Sequence, residues 1–216
     1  MVLTAQAFNP SIFNEVWLDR NDVVPSALLK GFRVFSPEVA QFETSDLQVL
    51  IIPPKMQVTF PMERANADGD LPQRILTRTV ELLPQTPFRA LGLNFEYFVV
   101  PPSEQEFLPY NHSLFREGKN NLDGEFGSNN SLFGRYYSAN RGIFRLKLDI
   151  KPGRAGEARK EVMHFSFNFD FDVSDIEPNE RVRKLGVAIR QWGELGTYAR
   201  RLVDLGSSPV SEEKGS

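Results

Sequence analysis

The chain has 216 residues, of which 41% are hydrophobic, and a formal charge of -3 at pH 7. Such a chain can bury a sizeable core in one domain, and its near-neutral charge does not favour a protein whose main partner is a phosphate backbone. It has no cysteine, which excludes disulfides, thiol nucleophiles and cysteine-ligated zinc and fits a reducing compartment. The first ten residues do not resemble a signal peptide, and no apolar run reaches the length of a membrane span. We therefore expect a soluble cytoplasmic protein with no membrane contact.

Short extended segments are predicted in the first sixty residues. Residues 13–19 predict a short strand, and residues 31–35 and 38–44 predict two more extended pieces separated by a proline. Residues 47–60 alternate apolar and polar side chains on both sides of a Pro-Pro pair, which predicts a hairpin. Consecutive short strands joined by turns indicate an antiparallel sheet.

A change of period then predicts a helix followed by a strand. Apolar residues recur at helical spacing from Leu71 to Leu83, and Pro84 ends the pattern. Strict alternation runs from residue 91 to residue 99, which predicts a long strand. The helix is amphipathic, so we expect it to cover a flat surface.

Residues 103–139 show no regular pattern and predict a long irregular excursion from the domain. Loops of this length inside compact domains are often lids or binding loops, so function is sought here first. Aromatic side chains seek burial, so we expect the excursion to be partly docked. The candidate interaction residues are its aromatic side chains: Phe107, Tyr110, Phe115, Phe126, Phe133 and Tyr136.

The clearest pattern lies between residues 142 and 173, where two alternating runs predict a long hairpin with one wet face. The first run places Leu146, Leu148 and Ile150 on one face. In the second run one face carries Met163, Phe165, Phe167, Phe169, Phe171 and Val173. This hairpin is expected to form the centre of the sheet.

Residues 177–206 predict one continuous helix, the longest of the chain. Its apolar residues recur at spacings of three and four, and it would be roughly 40 Å long. The tail, residues 207–216, is predicted to be disordered. Residues 1–206 are therefore expected to form a single α+β domain.

The order of elements predicts a curved antiparallel sheet of about six to eight strands, covered on one face by two helices, the C-terminal one long. This outline resembles helix-grip and TATA-box-binding-like architectures. The resemblance is architectural, and fold analogy does not carry function.

A polar ladder lies opposite the apolar face of the second alternating run. With two residues of the strand predicted over residues 91–99, this ladder could converge into a metal or acid–base site. The six residues are Asn94, Glu96, His164, Asn168, Asp170 and Asp172. The ordinary explanation is a solvated strand face, and we favour it, because any half-exposed strand alternates in this way. Two aspartates at a spacing of two are only the beginning of a cation site.

The last predicted helix is basic outside its apolar stripe. Its basic residues are Arg181, Arg183, Lys184, Arg190, Arg200 and Arg201. They could contact nucleic acid or an acidic partner, although a solvated helix surface is the default explanation. Two histidines leave little room for a histidine-based catalytic or metal site. No phosphate-binding loop is found, so no cofactor and no metal are expected.

These observations favour a non-enzymatic protein-binding or assembly module that contacts another protein or a second copy of itself, although catalysis stays open. The alternative is a small-molecule-binding or metal-assisted hydrolytic protein that holds its ligand between the sheet and the long helix. The third hypothesis is nucleic-acid binding through the basic C-terminal helix.

Overall fold

The structure is a computed structural model that describes residues 1–62, 71–101, 103–115, 130–157 and 159–208. Nine strands and five α-helices are found in these ranges. The strands are β1 Val2–Ala5, β2 Lys30–Phe35, β3 Ala40–Glu43, β4 Gln48–Ile52, β5 Lys55–Thr59, β6 Phe88–Val99, β7 Arg135–Arg141, β8 Phe144–Ala155 and β9 Lys160–Asp172. The helices are α1 Glu15–Arg20, α2 Leu71–Leu82, α3 Phe107–Phe115, α4 Pro178–Arg190 and α5 Trp192–Gly206.

The nine strands form one open antiparallel sheet in the order β2-β3-β4-β5-β1-β6-β9-β8-β7. The predicted α+β class is confirmed. Both predicted hairpins are also confirmed, β4–β5 and β8–β9, because alternating side chains specify both the strand and the face that it buries. The number of strands exceeds the six to eight expected, since neither β1 nor β7 was predicted, the latter lying largely within the predicted irregular excursion.

The chain divides into two compact units. Unit 1 comprises Met1–Leu93 and Asp170–Gly193, and unit 2 comprises Asn94–Phe169 and Glu194–Ser216. The boundary passes through β6 and β9, so both strands contribute to each unit. The expectation of a single domain stays a prediction.

Unit 1 contains the meander from β2 to β5, strand β1 and helices α1, α2 and α4. Helix α2 packs on α4, and both bury apolar side chains such as Ile75 and Leu185. The amino group of Met1 is buried and donates a hydrogen bond of 2.8 Å to the carbonyl oxygen of Val58.

Unit 2 contains β7, β8, helix α3 and most of β9 and of α5. Its core is the predicted aromatic ladder: Phe165, Phe167 and Phe169 are all buried. Gly206 of α5 approaches the ring of Phe165 so closely that an added Cβ would lie 3.0 Å from it. The face of β8 and β9 that carries these side chains is called the apolar face of unit 2, and the opposite face is called its polar face.

The predicted strand at residues 13–19 was wrong, since Glu15–Arg20 is helix α1. Asn14 caps this helix, and its side-chain oxygen accepts a hydrogen bond of 3.0 Å from the backbone N–H of Trp17. Phe13 and Trp17 are four residues apart and their rings meet edge to face at 5.1 Å. That spacing suits a helical turn better than an alternating strand.

The single helix predicted over residues 177–206 is two helices that meet at Gln191. The Gln191 N–H bonds to the carbonyl of Ala188, three residues back, at 3.1 Å, which tightens and ends α4. Trp192 is buried edge to face on Phe60 at 5.5 Å, and Gly193 has a low helix propensity. The side chain of Trp192 therefore anchors the break.

The predicted irregular excursion at residues 103–139 contains α3 and β7. Residues 116–129 and the tail from residue 209 lie outside the described residues. Ser207 and Ser208 of the predicted tail are described, and Ser207 accepts a hydrogen bond of 2.9 Å from the hydroxyl of Tyr110. The excursion was misjudged because its helix is short and its strand carries few apolar residues.

Candidate functional site

The predicted polar ladder is divided between the two units. On the polar face of unit 2, the amide of Asn168 donates a hydrogen bond of 2.6 Å to Asn94. The His164 ring stacks on Phe98 at 4.8 Å, and its Nε2 lies 3.8 Å from a carboxylate oxygen of Glu96. These four predicted residues therefore converge in two pairs. Among the described residues no group of three His, Cys, Asp or Glu side chains is placed to hold a metal ion.

The other two ladder residues, Asp170 and Asp172, line a cleft of about 570 Å³ in unit 1. Asp172 accepts hydrogen bonds from the backbone N–H of Ser174 at 2.8 Å and from its hydroxyl at 2.6 Å, and these bonds lower the pKa of the Asp172 carboxyl. Arg181, from the same cleft, donates to the carbonyl oxygens of Val173, Ser174 and Ile176. Asp172 and Arg181 thus hold the β9–α4 connection together, which gives both a structural role.

The basic residues predicted on one helix lie on two. Arg181, Arg183, Lys184 and Arg190 belong to unit 1, whereas Arg200 and Arg201 belong to unit 2. Arg183 pairs with Glu180 through two hydrogen bonds, and Arg200 lies 3.5 Å from Asp204. Arg201 lies over the ring of Tyr198 at 5.1 Å. These pairings reduce the positive charge available to a phosphate backbone, so the nucleic-acid hypothesis is the least favoured.

The aromatic residues of the excursion have unlike environments. Phe107 and Phe115 are buried against the core of unit 2, and Phe133 is half-buried. Tyr110 is held by Ser207, as described above, and burial raises its pKa. Tyr136 is 61% exposed. Phe126 lies outside the described residues. Of the five described aromatics, Tyr136 alone offers a partner a largely exposed ring.

A buried amide connects α3 to the segment before β7. Asn111 is fully buried, its amide donates to the carbonyl of Phe133 at 2.8 Å, and its oxygen accepts from the N–H of Phe133 at 2.9 Å. The ring Nε2 of His112 lies 2.8 Å from the carbonyl of Ser131. These contacts fix the point at which the chain enters β7. Sequence reasoning missed Asn111, since a single asparagine in a polar stretch gives no sign of burial.

An open groove of about 470 Å³ lies on the apolar side of unit 2 between β7, β8 and α5. We call it the edge groove and define it by Phe115, Arg135, Tyr137, Arg141, Leu146, Leu148, Ile150, Tyr198, Leu202 and Leu205. Its floor is the buried row Leu146, Leu148 and Ile150 of β8. Tyr137 is 48% exposed and Leu205 is 66% exposed, so apolar surface remains in contact with water at the rim.

Strand β7 stands at the end of the strand order, so among the described residues it has a hydrogen-bonded strand neighbour on one side. It pairs with β8 in an uninterrupted register from Arg135↔Ile150 to Arg141↔Phe144. A regular edge strand presents a row of backbone donors and acceptors to which another chain can pair. The edge groove and β7 together can therefore bind an extended polypeptide.

Leu205 was not among the candidate residues from the sequence. Strand β7 itself was not predicted, and nothing local indicates that it lies at the end of the strand order.

Comparison with protein-family models, curated proteins and solved structures finds no match for this chain. In the described part of the chain, no helix combines the length and apolar character needed to cross a membrane.

Proposed function

We propose that this protein is a non-enzymatic binding module that takes an extended segment of another protein at β7 and the edge groove. The observation that carries the proposal is the combination of a regular edge strand with an apolar groove along the same strand. Strand addition supplies main-chain hydrogen bonds, and a neighbouring groove receives alternate side chains of the added segment. Location in the cytoplasm belongs to the same proposal and rests on the absence of cysteine.

Exposed apolar side chains extend beyond the groove. Tyr136 lies on the opposite side of β7 from Tyr137, and Ile143 lies in the turn between β7 and β8 with its side chain largely exposed. A small ligand in the groove would leave these side chains in water. A polypeptide along the strand can cover both sides of β7, which favours a protein partner.

The groove also supports a second candidate, a small apolar ligand held between the sheet and α5. Its volume falls within the range of about 300–1,000 Å³ typical of ligand sites. Polar side chains of the predicted ladder that could serve such a ligand, Glu96, Asn168 and Asp170, do not line it. A thermal-shift screen with apolar acids and alcohols tests this candidate, because a ligand that binds only the folded state raises the Tm.

The protein-binding proposal is tested by capture from an extract of the source cell with matched variants. The tagged full chain is compared with Tyr137→Asp and Leu205→Asp in the edge groove and with Phe32→Asp on β2, where Phe32 is 57% exposed. We expect wild type and Phe32→Asp to retain the same proteins and both groove variants to lose them. Circular dichroism confirms that each variant is folded.

Hydrogen exchange supplies the positional part of this test. A captured protein should slow amide exchange in residues 135–141 and leave residues 30–35 unchanged. Equal capture by all four proteins, or protection elsewhere only, would overturn the proposal.

A further inference from the structure

We infer that the segment bound at β7 is an acidic strand from a different protein, and that the charges which select it also prevent two copies of this chain from pairing through β7. The inference rests on the proposed function and adds the chemistry of the partner. It is carried by the register of β7, the positions of its arginines and the charge of the neighbouring strand.

The register divides the side chains of β7 between the two faces. Arg135, Tyr137, Ala139 and Arg141 lie opposite Ile150, Leu148, Leu146 and Phe144 and so share the apolar face. Tyr136, Ser138 and Asn140 lie on the polar face. An added strand therefore meets apolar side chains at its centre and an arginine at each end. The two arginines are six residues apart, a span of roughly 20 Å along a strand.

The guanidinium of Arg135 is supported by its neighbours. It lies 6.0 Å from the centre of the Phe115 ring and 3.4 Å from the hydroxyl of Tyr137. These contacts favour a positive charge held at the rim of the groove. Among the described residues that line the groove, two are arginines and none is acidic.

The ribbon of β7 and β8 is basic although the whole chain is not. Residues 135–151 contain five basic residues and one acidic residue, whereas the chain has a net charge of -3. The acidic residue, Asp149, pairs with Lys151 at 3.0 Å. A positive edge attracts acidic segments and repels basic ones, which affects both the rate of association and the choice of partner.

The same charges oppose self-pairing. If two copies paired antiparallel about Ser138, Arg135 of one copy would face Arg141 of the other at both ends, with Cβ atoms about 5 Å apart. Like charges directly opposite each other destabilise a strand pair. An added strand with acidic side chains opposite Arg135 and Arg141 would be attracted to both arginines.

The probe is a blocked, fluorescein-labelled peptide of nine residues with aspartate at positions two and eight, leucine at four, valine at six and threonine elsewhere. A second peptide carries lysine in place of both aspartates. Binding to the full chain is measured by fluorescence anisotropy at low and high salt. We expect the aspartate peptide to bind roughly tenfold tighter or more, with a ratio that falls as salt screens the charges.

The charge-reversed variant Arg135→Glu with Arg141→Glu should reverse this preference. Lys30→Glu with Arg33→Glu, which changes the same number of charges on β2, should leave it unchanged. A reversal of peptide preference requires a folded protein, so it separates charge selection from loss of structure. We expect no dimer through β7. Analytical ultracentrifugation should therefore give the same oligomeric state for the wild type and for Tyr137→Asp.

Several outcomes would overturn the inference, and they differ from failure of the proposed function. Equal binding of both peptides would contradict selection by charge, and binding of neither peptide would contradict an extended acidic partner. In either case, capture that depends on Tyr137 would still support the proposed function. A dimer lost in Tyr137→Asp would identify a second copy as the occupant. Peptide binding that appears only in a chain ending at Ser208 would identify the occupant as this chain's own tail, which contains Glu212 and Glu213.

Discussion

Among the described strands, β2 and β7 stand at the two ends of the sheet, and they are similarly exposed but differ in backbone regularity. In β2 the register with β3 shifts between Lys30 and Val34, and Gly31 has a φ of 70°. In β7 seven consecutive residues pair with β8 without interruption. Phe32 and Tyr136 are exposed to nearly the same extent, 57% and 61%. Exposure of aromatic side chains therefore does not distinguish the edges, whereas the backbone does.

This difference in backbone regularity affects how readily each edge can pair with a strand of another chain. An irregular edge is a common protection against pairing with other molecules, since its donors and acceptors do not match a straight strand. Arg33 of β2 also pairs with Glu15 of α1 at 3.2 Å. A regular edge with an adjacent apolar groove lacks that backbone protection and relies on charge. Substitutions in the core of unit 2 and at the two edges test this contrast.

The edge groove can keep its shape only if the apolar face of unit 2 is well packed. Phe167→Ala should lower the free energy of unfolding by roughly 3–5 kcal/mol, because the ring is buried and its removal leaves a cavity. Asn168→Ala is the matched control. It loses a hydrogen bond to Asn94 on the more exposed polar face and should cost about 1 kcal/mol. Equal losses in denaturant titration would mean that the faces are wrongly assigned.

The stability of unit 1 should depend on pH through Met1 when its amino group is free. Burial lowers the pKa of this group from 8.0 to about 6. Between these values the unfolded chain binds the additional proton, so stability rises with pH through this window, by about 3 kcal/mol in total, and falls as pH decreases. The measurement is urea unfolding at about pH 5.5 and about pH 8.5, roughly half a pH unit beyond the window on either side.

The control for this prediction is the same chain with an acetylated N-terminus, which cannot titrate. The difference in pH dependence between the two chains isolates the contribution of Met1. Parallel pH profiles would contradict the buried state of the amino group.

Loss of the Asn111 amide should loosen the β7 edge and leave the β2 edge intact. Asn111→Ala removes both hydrogen bonds to Phe133 and leaves partly buried backbone groups without these partners, which should cost about 2 kcal/mol. Amide exchange should accelerate in residues 131–141. Ser113→Ala, an exposed change on the same helix, is the control. Acceleration in residues 30–35 of equal size would show that Asn111 has no special role at β7.

The smallest expected change in stability comes from charged substitutions at the two edges. Tyr137→Asp and Phe32→Asp should each alter the free energy of unfolding by about 0.5 kcal/mol or less, because each residue is about half exposed. Their effects on capture should nevertheless differ, as proposed above. A large loss of stability in Tyr137→Asp, measured by thermal unfolding, would mean that Tyr137 is part of the core and not of a binding surface.

Local patterns were sufficient for much of the secondary structure. The period of two over β8 and β9 specifies which side chains are buried, and the helical period specifies α2 as Leu71–Leu82. These predictions are confirmed because backbone geometry relates the spacing of side chains directly to the face on which they lie. The same reasoning failed where a single contact decided the outcome, as at the Asn14 cap and at Trp192.

The candidate site depended on contacts between distant parts of the chain. Phe115 and Leu205 line the same groove although ninety residues separate them in the sequence. The sequence by itself determined which face of each strand is apolar, and it predicted that the stretch containing β7 bears on function. Only the tertiary structure decided that β7 is an edge, that Asp170 and Asp172 lie in a different unit from His164, and that two arginines flank an apolar groove. Periodicity reports the environment of a side chain within its own element, whereas the neighbours of that element are selected by long-range strand pairing and packing.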